Sequence, residues 1–166
     1  MQVLIAYGSK RGGTAGLAEM IADEMVAVGL QVAVQPARDV QSIGTADAVV
    51  VAGALYASRW QRDARRFVKR FTEELRRRPV WMVSSGPLDD SAAEQEIAPV
   101  KQVAAAMASV GARGHVTFGG RLEADAKGYP ASAMAKKMAG DWRDPEDVHR
   151  WVASIVDELH HTTHRS

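Results

Sequence analysis

The chain contains no cysteine, which excludes disulfides, thiolate nucleophiles and cysteine-ligated metals together. It also lacks a charge excess. Lys and Arg number 21 against 20 Asp and Glu, a formal net charge of +1, so no overall basic field points to nucleic acid as a partner. Long apolar runs are missing too. The longest, Ala48 to Ala57, is too short to span a bilayer. The amino terminus runs straight into Gln2-Val3-Leu4-Ile5-Ala6, without the basic region and long apolar stretch of a secretory signal. No internal repeat, low-complexity linker or shift in composition marks a second domain. These absences predict one cytoplasmic domain over residues 1–160, followed by a polar tail over 161–166.

What is present is ordinary globular material. The chain has 166 residues, 46% hydrophobic and 25% charged, enough to bury roughly two-thirds of its unfolded surface. Short apolar runs alternate with longer amphipathic ones. Val3 to Tyr7 and Ala48 to Ala52 read as strands buried on both faces, stopping at Gly8 and Gly53. Gln31 to Gln35, Val80 to Ser84 and His115 to Phe118 read as three further strands. Leu17, Met20, Ile21, Met25 and Val28 recur at helical spacing after Thr14, with Gly29 placed as a helix C-cap. Further helices are predicted over Gln61 to Arg77, stopped by Pro79, and over Ala92 to Val110, interrupted by Pro99. A short helical piece is predicted near Ser132 to Met138. The final helix starts at Asp144-Pro145, with Asp144 as N-cap.

Five alternations of strand and helix predict an open parallel α/β sheet with helices on both faces. Ligands of such sheets bind beyond the carboxyl ends of the strands, where the strand order reverses. The loops to search therefore start at Gly8, Gly53, Ser84 and Gly119.

The first of these reads Ser9-Lys10-Arg11-Gly12-Gly13-Thr14 between a buried strand and a helix. Glycines let several N–H groups converge on one concavity, and the helix adds the positive end of its dipole. The Ser9 and Thr14 hydroxyls can donate to phosphate oxygens, and Lys10 and Arg11 can offset phosphate charge. A nucleoside-triphosphate loop would need a lysine between Gly13 and Thr14, and none is there; the dinucleotide pattern G-x-G-x-x-G is also absent. A plain strand–helix turn with Thr14 as N-cap is the simplest alternative.

On these residues the chain resembles flavodoxins, whose phosphate loop wraps the phosphate of FMN. The likeness extends to Asp47-Ala48-Val49-Val50-Val51-Ala52-Gly53-Ala54 and to the order of the elements. A closer likeness is to the flavodoxin-like, menaquinone-dependent protoporphyrinogen oxidases. It rests on Arg11 and on Phe118-Gly119-Gly120-Arg121-Leu122 followed by Met134 to Gly140. The resemblance implies a five-stranded sheet of order 2-1-3-4-5, with FMN as cofactor. The activity it implies is an FMN-dependent oxidoreductase or electron-transfer protein working with a redox partner, quinone or small organic substrate.

By the same resemblance, Ala54, Leu55, Tyr56, Ala57 and Trp60 line the flavin ring, with Leu55, Tyr56 or Trp60 covering it. Ser84, Ser85, Gly86 and Pro87 approach its pyrimidine edge. No residue is marked as an acid or base, because the chemistry belongs to flavin N5. Ser85 lacks the glycine two residues earlier that a nucleophile elbow requires. Two departures from flavodoxins predict a tilt from one-electron toward two-electron exchange. The chain is nearly neutral rather than strongly acidic, and no glycine lies between Ala54 and Trp60. A flavodoxin-like interaction or regulatory module without flavin is the alternative from another class.

Two more features stand out. Arg62, Arg65, Arg66, Lys69, Arg70, Arg76, Arg77 and Arg78 make the second helix basic. It reads either as a solvated face or as a docking surface for an acidic partner, an anionic membrane or a carboxylated substrate. His160 and His164 are spaced as a helical metal pair but lie at the extreme end of the chain, beside the polar tail. Trp142 and Trp151 are expected to pack the last helix on the sheet. Homodimerisation is compatible with the resemblance, and no sequence feature decides it.

Overall fold

The computed structural model describes residues 1–9, 13–56, 59–86, 99–119, 121–122, 140–141 and 144–163. Five strands form one parallel sheet: β1 (Gln2–Gly8), β2 (Gln31–Pro36), β3 (Ala48–Tyr56), β5 (Val80–Ser85) and β6 (Gly114–Phe118). Their spatial order is β2-β1-β3-β5-β6. The two-residue β4 (Arg59–Trp60) pairs back antiparallel onto the end of β3. Without that hairpin the order is the predicted 2-1-3-4-5. The central strands are buried along nearly their whole length, which is why they read as unbroken runs of Val and Ala rather than as alternations.

The sheet has a helical layer on each face. Helices α1 (Gly13–Ala27) and α5 (Pro145–Thr163) cover one side, packing Leu17, Ile21, Met25, Val152 and Ile155 onto Val3, Ile5 and Val50. On the other side α2 (Arg62–Arg70), α3 (Thr72–Arg76) and α4 (Lys101–Val110) pack Phe67, Leu75 and Val103 onto Leu4, Val49 and Met82. Trp151 meets Phe118 edge-on, with ring centroids 5.8 Å apart. Asp144 Oδ1 accepts the Glu146 N–H at 2.9 Å, as expected of the N-cap of α5.

Three elements differ from the sequence reading. The helix predicted over Gln61 to Arg77 is broken at Phe71. There the Thr72 hydroxyl donates to the carbonyls of Val68 (2.9 Å) and Lys69 (3.0 Å) and competes with the helical ladder. Strand β3 continues past Gly53 to Tyr56, because it is paired to β5 and then to β4. A small antiparallel pair, β7 (Arg121–Leu122) with β8 (Gly140–Asp141), is too short to leave a periodic signal. Helix α4 starts at Lys101, and the rest of the stretch predicted from Ala92 lies outside the described residues up to residue 98. The helical piece predicted near Ser132 to Met138 also lies outside them, as do Trp142 and His164.

Candidate cofactor-binding site

The pairing register brings the carboxyl ends of the strands into one row. Gly8 of β1 lies opposite Gly53 of β3, Gly53 opposite Ser84 of β5, and Ser84 opposite Thr117 of β6. The loops predicted to bind a ligand therefore leave the sheet side by side. Between β1 and β3 the chain order reverses direction across the sheet, the position where α/β folds hold their ligands.

Thr14 sits in the first turn of α1, immediately beyond the loop that follows β1. It is 1% exposed. Its Oγ1 is buried without a hydrogen-bond partner among the described residues. Leaving a buried hydroxyl unsatisfied costs about 1–3 kcal/mol, and such groups are rare unless something else completes them. The hydroxyl stands at a helix N-terminus, where free N–H groups and the helix dipole favour an anion. Of the predicted phosphate-loop residues, Ser9, Gly13 and Thr14 are described, whereas Lys10, Arg11 and Gly12 lie outside the described residues.

The second loop is built from below. Gln61 caps α2, its Oε1 accepting the Asp63 N–H (2.6 Å) and the Ala64 N–H (3.2 Å). That cap lies directly against Gly8, where an added Cβ would stand 2.9 Å from the Ala64 nitrogen. The Trp60 indole lies flush on Gly53, where a Cβ would stand 2.7 Å from Cε2. Its Nε1–H donates to the Gly53 carbonyl at 3.1 Å and reaches the Val83 carbonyl at 3.4 Å. Gln102 Oε1 accepts the Trp60 N–H, and the Trp60 carbonyl accepts from Arg65 Nε, both at 3.0 Å.

Trp60 was expected as a candidate wall of the flavin ring. In the structure it is 1% exposed and packs in the core cluster with Phe67 and Val51. The antiparallel turn-back of β4 brings its indole against Gly53 of β3. Ala54 is buried, Leu55 and Tyr56 are half-buried at the end of β3, and Ala57 lies outside the described residues.

In the third loop, Ser84 and Ser85 are buried and Gly86 has φ 136°, a conformation that side-chain-bearing residues avoid. Its N–H donates to the Phe118 carbonyl at 2.8 Å, tying this loop to the next strand. Pro87 lies outside the described residues. Ser84 Oγ is hydrogen-bonded to His115 Nε2 at 3.0 Å. Sequence reasoning missed this pair, which depends on the β5–β6 register. It is no hydrolase dyad, since the Ser84 hydroxyl belongs to a residue only 1% exposed.

Burial holds the His115 pKa down at about 4, against 6.5 for a free histidine. Between these values the unfolded chain binds a proton that the folded protein refuses. Stability is therefore full above the unfolded value and is lost as pH falls through this window. Partial exposure discounts the effect to about 1 kcal/mol between about pH 7.5 and about pH 5. Urea unfolding at the two pH values should show the loss, and His115→Gln should flatten the dependence. An equally steep dependence in the variant would assign it to other groups.

Among the described residues no cluster of His, Asp or Glu could hold a metal ion, and no helix is long and apolar enough to cross a membrane. A cleft of about 330 Å³ lies near the opposite end of the sheet, lined by Gln2, Gln31, Ala33, Thr45 and others. It offers no charged side chain for a phosphate.

The model of the flavodoxin domain matches residues 4–147. The chain belongs to the flavodoxin-domain family. Flavodoxin domains bind FMN, and FMN is the cofactor that membership assigns to this chain. Among solved structures, flavodoxin 2 from Bacillus cereus is similar with a TM-score of 0.64 and 18% identity, over 95% of this chain and 99% of that one. The flavodoxin of Streptococcus pneumoniae TIGR4 gives 0.60 at 18% identity, over 95% and 99%. Rubredoxin oxygen:oxidoreductase from Desulfovibrio gigas gives 0.56 at 15% identity, over 92% of this chain but 36% of that one. Likeness at these identities shows the fold. No curated protein matches the sequence.

Proposed function

We propose that the chain is an FMN-binding electron-transfer protein whose flavin lies across the carboxyl ends of β1, β3 and β5. The observation that carries this reading is the buried Thr14 hydroxyl at the start of α1, which has no hydrogen-bond partner among the described residues, in a chain of the flavodoxin-domain family. Ser9, Lys10, Arg11, Gly12, Gly13 and Thr14 would hold the phosphate. Ala54, Leu55, Tyr56 and Ala57 would run along the ring, and Ser84 to Pro87 along its pyrimidine edge. Bound FMN supplies one- and two-electron chemistry. The protein's part is to hold it, keep water from one side and present the other to a partner. Trp60 and Gln61 act from beneath, by fixing the backbone of the second loop.

A quinone-linked, protoporphyrinogen-oxidase-like activity is the finer version. Its support is sequence likeness at Arg11 and in the stretch from Phe118 to Gly140, most of which lies outside the described residues. Cytoplasmic location and the expected tilt toward two-electron exchange belong to the same finer reading.

The expected result is a flavin absorption band near one equivalent per chain, in freshly purified protein or after addition of FMN and desalting. A colourless protein that cannot be reconstituted would overturn the redox reading and leave a flavin-free interaction module.

A further inference from the structure

The net charge of +1 hides a separation across the sheet. Helix α1 carries Glu19, Asp23 and Glu24 and no Lys or Arg. Helix α5 carries four carboxylates against Arg150. On the opposite face, α2 alone holds five cations and one carboxylate, Asp63. One helical layer is therefore acidic and the other basic.

The cations of α2 fall into two groups. Arg65 and Arg70 are used internally, donating to the carbonyls of Trp60 (3.0 Å) and Val40 (3.2 Å). Arg62, Arg66 and Lys69 are exposed at i, i+4 and i+7 on one stripe. Arg66 and Lys69 have no side-chain hydrogen bond or ion pair among the described residues, and Arg62 has only a 4.0 Å approach to Asp63. The stripe spans about 10 Å along the helix. Exposed Arg59, paired in register with Tyr56, extends it to the second loop of the cofactor site. Like charges at i, i+4 oppose helix formation slightly, so helix stability does not account for the Arg62–Arg66 pair.

We propose that Arg59, Arg62, Arg66 and Lys69 form the docking face for an acidic redox protein, which this stripe steers onto the edge of the cofactor site. The proposal rests on the electron-transfer reading above and names the partner class for that site. An anionic membrane fits less well. Membrane-surface helices bury an apolar face in the interface, whereas Ala64, Phe67 and Val68 of α2 are committed to the core. The exposed large hydrophobic residues among those described, Met1, Val26 and Val28, belong to the region around α1. A steered encounter needs only complementary charge beside the redox centre, and its rate falls with salt.

The test uses a strongly acidic plant-type ferredoxin as probe, with basic cytochrome c as the opposite-charge control. Binding of oxidised ferredoxin to the flavin-free protein is titrated at low salt, which needs no redox activity. Transfer of one electron from reduced ferredoxin to the FMN-loaded protein is then timed by stopped flow. Reduction by the neutral deazariboflavin radical reports redox competence alone.

The expected result is ferredoxin binding that weakens with salt and drops about tenfold or more in Arg62→Glu/Arg66→Glu/Lys69→Glu. Glu19→Lys/Asp23→Lys on the far layer should leave it unchanged, and the neutral donor should treat all three proteins alike. Undiminished ferredoxin binding in the triple variant would overturn the proposal. So would tighter association with cytochrome c, or charge-dependent capture by phosphatidylserine-containing vesicles without ferredoxin binding. A protein that accepts no electrons from the neutral donor fails the electron-transfer reading, and the binding arm still decides the docking face.

Discussion

Thr14→Val is expected to weaken FMN binding about 10- to 150-fold while leaving the flavin-free protein as stable as before, or more so. Both signs follow from one atom. In the free protein Thr14 Oγ1 is buried with no hydrogen-bond partner among the described residues. A buried hydroxyl left unsatisfied costs about 1–3 kcal/mol. Valine has nearly the same shape and replaces that hydroxyl with a methyl group that needs no partner. With the phosphate present the hydroxyl becomes a donor to a charged acceptor. Hydrogen bonds to charged groups contribute about 1.5–3 kcal/mol, which is the stated range in affinity.

The measurements are a thermal midpoint without FMN and a fluorescence titration with it. A midpoint that rises or stays level while affinity falls is a combination that a merely structural role for Thr14 does not produce. Unchanged affinity would remove Thr14 from the phosphate site. Because FMN stabilises only the folded state, the variant should also gain less in midpoint at a fixed FMN concentration.

How much of this was legible beforehand depends on how local each feature is. The five strands were readable because a parallel strand buried on both faces must be apolar throughout, as Val49-Val50-Val51 and Val80 to Val83 are. Thr14 stood out as a candidate because a hydroxyl and glycines between a strand and a helix form a local pattern. Gly53 was read as the end of its strand. It is instead the clearance that lets the Trp60 indole lie against the chain. That role exists only because residues after Tyr56 turn back as β4, and no short-range pattern encodes the return. The Ser84–His115 pair needs the β5–β6 register, between residues 31 positions apart. The basic helix was visible in the sequence, but its acidic counterpart was not. Assigning α1 and α5 to one layer requires the topology.

Trp60 provides the second large effect. Trp60→Ala should cost about 3–5 kcal/mol, a large share of the roughly 5–15 kcal/mol that holds an ordinary domain together. The indole is 1% exposed, packs with the cluster that includes Phe67 and Val51, and donates to the Gly53 carbonyl. Removing it leaves a cavity on Gly53 and frees the second loop from its floor.

Trp60→Phe separates floor from wall. If Trp60 stacked on the flavin, phenylalanine would alter FMN affinity and leave the flavin-free protein's stability nearly intact. With the ring beneath the loop the expectation is reversed. Stability should fall by about 1–3 kcal/mol, from lost volume and from buried carbonyl groups that lose their donor. FMN affinity, measured cold where both proteins are folded, should change less than threefold. Urea midpoints and FMN titrations of the two proteins decide between these. Gly53→Val should reproduce the Trp60 defect from the other side, because any side chain there occupies the space of the indole. A stable Gly53→Val protein with normal FMN binding would show that the contact between strand end and indole is not what shapes the second loop.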